Sequence, residues 1–258
     1  MTQYSLLPIA GFLIGMLIIS LGGGGGGIYV GILTVFFHIS PVIAASTSLA
    51  TIIPTTAVGS FSHWKAGNVN VRYGLTMLVG GAVGAVIGSL CSGLLPEQYY
   101  NKLTGVIMLV LSARMVFSYL NKRRSPQATE DCENSGGRNG TFVKALLFGL
   151  LGGGISGLIG LSGGGPIVAG LSVLGCGALE MVGTSVFVLC GIAIVGFAMH
   201  LGLGSVDWNL VLLLASGTMS GAFVGPLLLK RINREKLEKA LYPVILVMTV
   251  GMAVVLIV

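Results

Sequence analysis

Charged residues are what this sequence has least of. Only 9% of its 258 residues are Asp, Glu, Lys or Arg, whereas a soluble domain averages about 25%. Hydrophobic residues make up 54% of the chain, and its mean hydropathy is +0.96. We therefore expect an integral membrane protein rather than a soluble enzyme or binding domain. The formal net charge of +6 does not indicate a nucleic-acid partner, because the basic residues gather at the ends of apolar runs, where they set topology.

The apolar runs also lack the alternating pattern of a membrane β-barrel. They are about 15–23 residues long, whereas a barrel strand needs about 10 residues. Because every backbone N–H and C=O must be paired inside the membrane, such runs form helices. The N-terminus lacks the basic stretch and the cleavage site of a signal peptide, so residues 1–21 are expected to form the first membrane segment. The predicted fold is all-α and polytopic.

Ten apolar segments are expected, five on each side of a polar stretch. They lie at about 5–21, 27–38, 42–62, 72–94, 102–120, 142–160, 164–176, 181–203, 207–229 and 239–258. The halves repeat, since residues 84–88 (GAVIG) match residues 221–225 (GAFVG) at an offset of 137. Because five is odd, the two halves should be inverted relative to each other. The expected units are a first repeat (1–120), a hydrophilic linker (121–141) and a second repeat (142–258).

The distribution of Lys and Arg predicts the orientation. If the N-terminus is external, one face receives the basic residues near 65–72, those of the linker and those at 230–239, and the other face receives almost none. An excess of Lys and Arg marks cytoplasmic loops. We therefore expect a plasma-membrane protein with a cytoplasmic linker and two external termini. The same count puts Glu180 on the cytoplasmic side and Asp207 outside.

Two glycine runs interrupt apolar segments at matching places in the halves. Residues 22–27 are six glycines, and residues 163–165 are three more. The pieces that follow each run are about 12 residues long and span roughly 18 Å, which is short of the roughly 30 Å hydrocarbon core. They should be half-helices of re-entrant hairpins that meet near mid-membrane. Their unpaired N–H groups and helix dipoles would form an anion site without a buried Lys or Arg.

Hydroxyl groups near the glycines would complete this site. A Thr-Ser pair follows each run, and Ser162 directly precedes the second run. A hydroxyl can donate one proton to an oxyanion and rotate to suit it. The predicted substrate-binding residues are Gly25, Gly26, Gly27, Ser46, Thr47, Ser48, Ser162, Gly163, Gly164, Gly165, Thr184 and Ser185. In the alternative structural interpretation, the glycines serve helix packing and the hydroxyls bond to their own helix backbone.

Other ionisable residues in the apolar runs have less claim to the site. Arg114 lies near the basic end of its segment and should snorkel to the cytoplasmic surface. His38, His63 and His200 fall at segment ends, where we expect interfacial positions, with proton coupling as the alternative role. The predicted segments hold no pair of acidic residues of the kind that many proton-driven carriers use, so the coupling ion is left open.

One motif allows an enzyme as a remote alternative. Residues 160–163, Gly-Leu-Ser-Gly, have the form found in intramembrane serine proteases, and His200 could act as the base. The first repeat has glycine at the place of the serine, and four residues are a weak match in a chain with 42 glycines. We therefore expect no enzyme. A membrane scaffold without a substrate is a further alternative.

These motifs resemble those of the TauE/SafE family of membrane permeases over nearly the whole chain. The resemblance rests on residues 22–33, on 45–49 (ASTSL) and on 67–70 (GNVN), with second copies at 162–166 (SGGGP), 183–185 (GTS) and 204–208 (GSVDW). Asn70 stands where the family often has Asp. The resemblance implies transport of small sulfur-containing anions, with export of sulfite as the usual assignment.

We therefore expect a secondary transporter that exports sulfite or an organosulfonate by alternating access, as one repeat rocks against the other. An uptake permease or a channel for another small anion is the alternative. The expected partners are the anion, the lipid bilayer and a coupling ion such as H⁺, and the sequence is compatible with a homo-oligomer. No cofactor, metal or nucleic acid is expected.

Overall fold

The computed structural model describes residues 7–21, 25–122, 138–202, 206–229, 246–247, 250–251 and 253–257. Its helices are α1 (Leu7–Leu21), α2 (Gly26–Gly31), α3 (Pro41–Lys65), α4 (Val71–Ser92), α5 (Glu97–Lys122), α6 (Arg138–Ile159), α7 (Gly164–Val173), α8 (Ala178–His200) and α9 (Trp208–Leu229). A π-helical stretch, Ile32–Phe36, continues α2. No strand occurs among these residues, so the prediction of an all-α fold is confirmed.

Four of the helices, α3, α4, α6 and α8, are long and apolar enough to cross a membrane. Together with the shorter apolar helices they make the chain a polytopic membrane protein, as predicted. The first nine predicted segments agree with the helices to within a few residues. Much of the tenth segment, the loop before it and most of the linker lie outside the described residues, although α5 extends to Lys122 and α6 already begins at Arg138. The described residues of the tenth segment, 246–247, 250–251 and 253–257, are helical.

One face of α4 shows how the bundle sorts its side chains. Four large apolar residues, Val79, Val83, Ile87 and Leu90, are exposed along this helix, while its glycines are buried. Exposed apolar rows of this kind suit a lipid environment, where aliphatic side chains are as well solvated as in a protein core. The small residues are left to face the neighbouring helices.

Two helix pairs pack backbone to backbone through glycine. A Cβ added at Gly84 of α4 or at Gly153 of α6 would collide with the backbone of the other helix of that pair. A Cβ at Gly15 of α1 or at Gly221 of α9 would collide in the same way within the α1–α9 pair. Only small residues allow helices to approach so closely. The two pairs are related by the offset of the sequence repeat, because α1 corresponds to α6 and α4 to α9.

The two central helices, α3 and α8, pack against each other and run antiparallel. Thr47, near the start of α3, contacts Asp207, which follows the end of α8. Thr184, near the start of α8, contacts Asn70, which follows the end of α3. In addition, α3 packs on α9 and α8 packs on α4. These paired contacts are those that a two-fold repeat would produce; the division into repeats and their inversion across the membrane stay predictions.

The same contacts define two ends of the bundle, called here the Asn70 end and the Asp207 end after the residue at each. At the Asn70 end, the Asn70 side-chain amide donates to Glu180 Oε1 over 2.8 Å. Glu180 therefore lies on the same side as the loop that carries Lys65 and Arg72, which is where the count of crossings placed it. Asp207 lies at the opposite end.

Candidate functional site

Each glycine break restarts the chain as a short helix through a left-handed glycine. Gly25 has φ 66° and ψ 1° before α2, and Gly163 has φ 65° and ψ 12° before α7. The two positions are 138 residues apart in the sequence. Only glycine adopts this conformation without strain, which explains why both breaks need it. The first N–H groups of α2 and α7 therefore start without intrahelical partners; residues 22–24 lie outside the described part of the chain.

The two breaks lie against each other inside the bundle. The Gly26 N–H, at the start of α2, donates to Ser162 Oγ over 3.4 Å. A Cβ on Gly26 would lie 2.7 Å from the Gly160 carbonyl oxygen and would collide with the Ser162 nitrogen. Gly26, Gly160 and Ser162 are all buried. A hydroxyl oxygen thus takes the place, at a helix N-terminus, where an oxygen of an anion would accept the same N–H.

Ser48 of α3 joins the two breaks. Its hydroxyl lies 3.2 Å from the Gly160 carbonyl oxygen and 3.4 Å from that of Gly26, so it can donate its proton to either. The side chain is completely buried. Ser48 is therefore the hydroxyl of the predicted pairs that reaches both glycine breaks.

The remaining predicted glycines lie around this contact. A Cβ on Gly27 would lie 2.9 Å from the Leu161 side chain, and one on Gly163 would collide with the Gly152 carbonyl. Gly164 is buried, whereas Gly165 is exposed. At these positions glycine lets the chain segments approach more closely than a side chain would allow.

The structure does not bring the two Thr-Ser pairs together. Thr47 Oγ1 accepts the Asp207 N–H over 3.4 Å, and Thr184 Oγ1 accepts the Asn70 N–H over 2.9 Å. These contacts are at opposite ends of the bundle. From Thr47 to Lys65 at the far end of α3, the rise is about 27 Å. One small anion can therefore contact one pair at a time, and not both.

The hydroxyls of the predicted set fall into two groups by their hydrogen bonds. Ser46 donates to the Val42 carbonyl over 2.8 Å, and Ser185 donates to the Val182 carbonyl over 2.9 Å. These two protons bond to the helix that carries them, as the structural interpretation expects. Thr47 and Thr184 instead accept a backbone N–H, which leaves each hydroxyl proton for another acceptor.

A buried hydroxyl cluster was missed by the sequence reasoning. Tyr29 of α2 is completely buried, and its hydroxyl lies beside those of Thr55 and Thr218 without a hydrogen bond of good geometry to either. The two threonine oxygens are 2.6 Å apart. The repeat equivalents of these three residues are Ile167, Ile192 and Gly81, which pack as apolar residues. Comparison of the two halves for polar residues opposite apolar ones would have found the cluster.

Ser162 Oγ accepts the Gly26 N–H, while His200 Nδ1 lies beside Ser89 Oγ and the Gly196 carbonyl. In the described part of the chain, the hydrogen bonds of His200 therefore go to Ser89 and Gly196, and not to the serine of the protease motif. The side chain of Arg114 lies outside what the structure describes.

Comparison with known proteins shows the family. A family model described as sulfite exporter TauE/SafE matches residues 7–252. The chain belongs to the TauE/SafE family. This match confirms the resemblance over nearly the whole chain. The relatives described next are named probable membrane transporters.

Curated relatives cover nearly the full chain. The probable membrane transporter protein YdhB of Bacillus subtilis (strain 168) is 31% identical over 244 residues, which are 92% of this chain and 95% of that protein. YunE of the same organism, also named a probable membrane transporter protein, is 25% identical over 93% of this chain and 92% of its own length. ORF9 of Sinorhizobium sp, with the same description, is 26% identical over 97% of this chain and 90% of its own length. No solved structure gives a significant match to this TauE/SafE chain.

Proposed function

We propose that this TauE/SafE protein is a secondary transporter that exports a small sulfur-containing anion, sulfite or an organosulfonate, across the plasma membrane. The observation that carries the proposal is the contact between the two glycine breaks. There, the N–H at the start of α2 donates to Ser162 Oγ, and both breaks turn through a left-handed glycine. An oxyanion that replaces this hydroxyl oxygen would gain backbone donors and a favourable helix dipole.

The substrate would be held without a full opposite charge nearby. Ser48, Ser162 and the N–H groups of Gly26 and Gly164 would contact its oxygens. The stripe from Ser48 through Thr51 and Thr55 would continue the polar surface along α3 towards Tyr29, since all these side chains are buried. A small tetrahedral or pyramidal oxyanion would take the place of the Ser162 hydroxyl oxygen at the Gly26 N–H.

Alternating access would use the contacts at the two ends. Thr47 holds the turn before α9 at the Asp207 end, and Thr184 holds the turn before α4 at the Asn70 end. If one repeat rocks against the other, release of one contact and retention of the other would open the site to one side at a time. We assign the Asn70 end to the cytoplasm and both termini to the outside, in line with the basic residues there.

The test is transport by purified protein in liposomes loaded with sulfite or with a short sulfonate. In Gly26→Ala, the added Cβ meets backbone atoms of Ser162 and Gly160, which cannot rotate away. We expect efflux to fall at least about tenfold, the loss that corresponds to about 1.4 kcal/mol. The matched control is Gly140→Ala, where nothing lies within 4 Å of the added atom.

Normal efflux in a folded Gly26→Ala protein would contradict the site. The direction and class of transport are tested in the same vesicles: an uptake permease would favour loading over efflux under the same gradients, and a channel would show no acceleration of efflux by anion on the far side.

A further inference from the structure

His200, the last residue of α8, is completely buried. Its Nδ1 lies 3.0 Å from the Gly196 carbonyl oxygen. Because a carbonyl oxygen can only accept, Nδ1 carries the hydrogen of the neutral ring, and Nε2 keeps a lone pair. Among the described residues this Nε2 has no hydrogen-bond partner. The interior of the bundle therefore holds an unused proton acceptor.

His200 lies at a segment end, as expected, and its side chain is buried among protein atoms. Its depth relative to the membrane interface stays a prediction. Ser89 of α4 places a hydroxyl 3.3 Å from Nδ1 and 3.3 Å from the Gly157 carbonyl of α6. The imidazole is thus fixed between three helices, and its orientation is set by bonds on the Nδ1 side alone.

His200 lies close to the glycine breaks. Gly157, which shares Ser89 with the histidine, precedes Gly160 of the second break by three residues. Gly196, which holds Nδ1, packs against Leu49, the neighbour of Ser48, since a Cβ there would lie 3.4 Å from Leu49 Cδ1. Through these two links the imidazole shares neighbours with the segments that form the proposed anion site.

No acidic side chain forms an ion pair with His200 in the part of the chain that the structure describes. Its helix packs on α1, α3, α4, α6 and α7, and none of these brings a charged residue to the Asp207 end. The ionisable groups at that end are His38 before α3, Cys91 on α4, Glu97, Tyr99, Tyr100 and Lys102 on α5, and Asp207 before α9. The Asp207 carboxylate already caps α9 through the N–H groups of Asn209 and Leu210.

We propose that His200 Nε2 binds the proton that is coupled to anion transport. This proposal rests on the proposed function, because the bound anion is the group that would attract the positive charge of the protonated ring. The Nε2 lone pair takes up one proton and Nδ1 keeps its own, so the ring gains one positive charge in the same part of the bundle as the anion. Because no acidic group of the described residues forms an ion pair with that ring, the anion and the proton favour each other's binding by the same factor.

The first repeat contains a histidine that matches His200. His63 is the equivalent of His200 at an offset of 137, and Gly59 precedes it by four residues as Gly196 precedes His200. It too is buried, near the end of α3 at the Asn70 end. A Gly-x-x-x-His motif at the end of each central helix would serve a transporter that opens alternately to its two sides. This repeated motif is the sequence signal that marks both histidines.

The test is calorimetry on the detergent-purified full chain with methanesulfonate, which stays an anion at every pH used, whereas sulfite itself titrates near neutrality. Affinity is measured between about pH 5 and 8, where histidine titrates. We expect wild-type affinity to rise at least about tenfold towards low pH, within the usual range of coupling between two ligands. In two buffers with different ionisation enthalpies, the heats should show net proton uptake on anion binding, of at most one proton per anion.

His200→Gln should bind the anion with no dependence on pH and no proton uptake, and His38→Asn, at the exposed histidine, should behave as wild type. Should His200→Gln fail to fold, Ser89→Ala is the second variant, expected to move the midpoint of the pH dependence without abolishing it. Anion binding with no proton uptake in wild type, or a pH dependence that persists in His200→Gln, overturns the proton site and leaves the anion site standing. No binding of methanesulfonate or sulfite at any pH overturns both.

Discussion

At the residue scale, the proposed site depends on the lack of side chains at its glycines as much as on the polar groups around them. Gly25 and Gly163 take a backbone conformation that side chains oppose, and Gly26 has no room for a Cβ. The breaks can therefore bring two chain segments into contact where an ordinary residue would hold them apart. The polar groups at the contact are backbone N–H groups, a few hydroxyls and the Gly26 and Gly160 carbonyls, and the helix N-terminus among them favours an anion.

The Tyr29 hydroxyl gives a prediction at this scale. A buried hydroxyl that lacks a good hydrogen bond costs about 1–3 kcal/mol, so Tyr29→Phe should leave the melting temperature unchanged or raise it. If the hydroxyl serves the substrate path, anion efflux should nevertheless fall by about tenfold. Thermal unfolding in detergent and efflux from vesicles measure the two effects separately.

The control is Tyr99→Phe, at a tyrosine whose side chain is 59% exposed, and it should change neither quantity. A Tyr29→Phe protein that melts at a clearly lower temperature but transports normally would show that the hydroxyl stabilises the fold and has no part in transport.

The residue scale is also where the sequence was least informative. The glycine breaks were predicted from their repetition, and the structure places left-handed glycines and helix starts there. Which way each hydroxyl points depends on the rotation of its helix, and only the packing decides that. The sequence reasoning assigned both Thr-Ser pairs to one site. If the two halves are inverted, as predicted, equivalent positions lie at opposite ends of the bundle. The predicted repeat therefore already implied that the two pairs are apart.

At the element scale, glycine sets the distance between helices. The α4–α6 and α1–α9 pairs approach so closely that an added Cβ would collide with backbone atoms at Gly84, Gly153, Gly15 and Gly221. Such contacts resist small rotations, so each pair should move as a rigid unit. Because one helix of each pair comes from each half, a rocking motion would have to involve whole pairs rather than single helices.

Two neighbouring glycines of α6 test this packing. Gly153→Ala places a Cβ against the Gly81 carbonyl, whereas the nearest atom to a Cβ on Gly154 is 3.9 Å away. We expect Gly153→Ala to lower the free energy of unfolding by about 1–3 kcal/mol, as overpacking does, and Gly154→Ala to leave it nearly unchanged. Equal stability of the two variants in thermal or denaturant unfolding would contradict the close contact.

The element scale was the one that the sequence predicted best. Length and hydropathy located nine of the helices to within a few residues, because a membrane helix must be long enough to cross and must satisfy its own backbone. The shortness of α2 and α7 was also predicted, since the apolar pieces after the glycines were too short to cross. The packing partners of each helix were not predicted, because apolar segments of similar composition do not indicate which neighbour they contact.

At the scale of the whole molecule, the contacts divide the loops between two ends. Glu180 accepts a hydrogen bond from Asn70, in the loop between Lys65 and Arg72, at the Asn70 end. Asp207 lies at the other end. Which end faces the cytoplasm follows from the predicted topology and from the excess of basic residues at the Asn70 end.

Labelling of single cysteines with a membrane-impermeant thiol reagent tests that orientation in intact cells. Ala66→Cys lies in the exposed turn at the Asn70 end, and Leu94→Cys, at a side chain that is 83% exposed, lies at the Asp207 end. We expect Leu94→Cys to be labelled from outside and Ala66→Cys only after the membrane is permeabilised. Each is made in a chain whose four native cysteines are changed to serine, and that cysteine-free chain is the background. The reverse pattern would contradict the predicted topology.

The central claim is that the contacting glycine breaks bind a small sulfur oxyanion, and the most direct measurement is anion binding by the purified chain. Calorimetry with sulfite, methanesulfonate, sulfate, thiosulfate and chloride should be made on wild type, on Gly26→Ala and on Gly140→Ala. The proposed site predicts saturable binding of a sulfur oxyanion and no binding of chloride by wild type. Binding of the sulfur oxyanion should be lost in Gly26→Ala and kept in Gly140→Ala. Equal binding by all three proteins, or no binding of any anion, would contradict it.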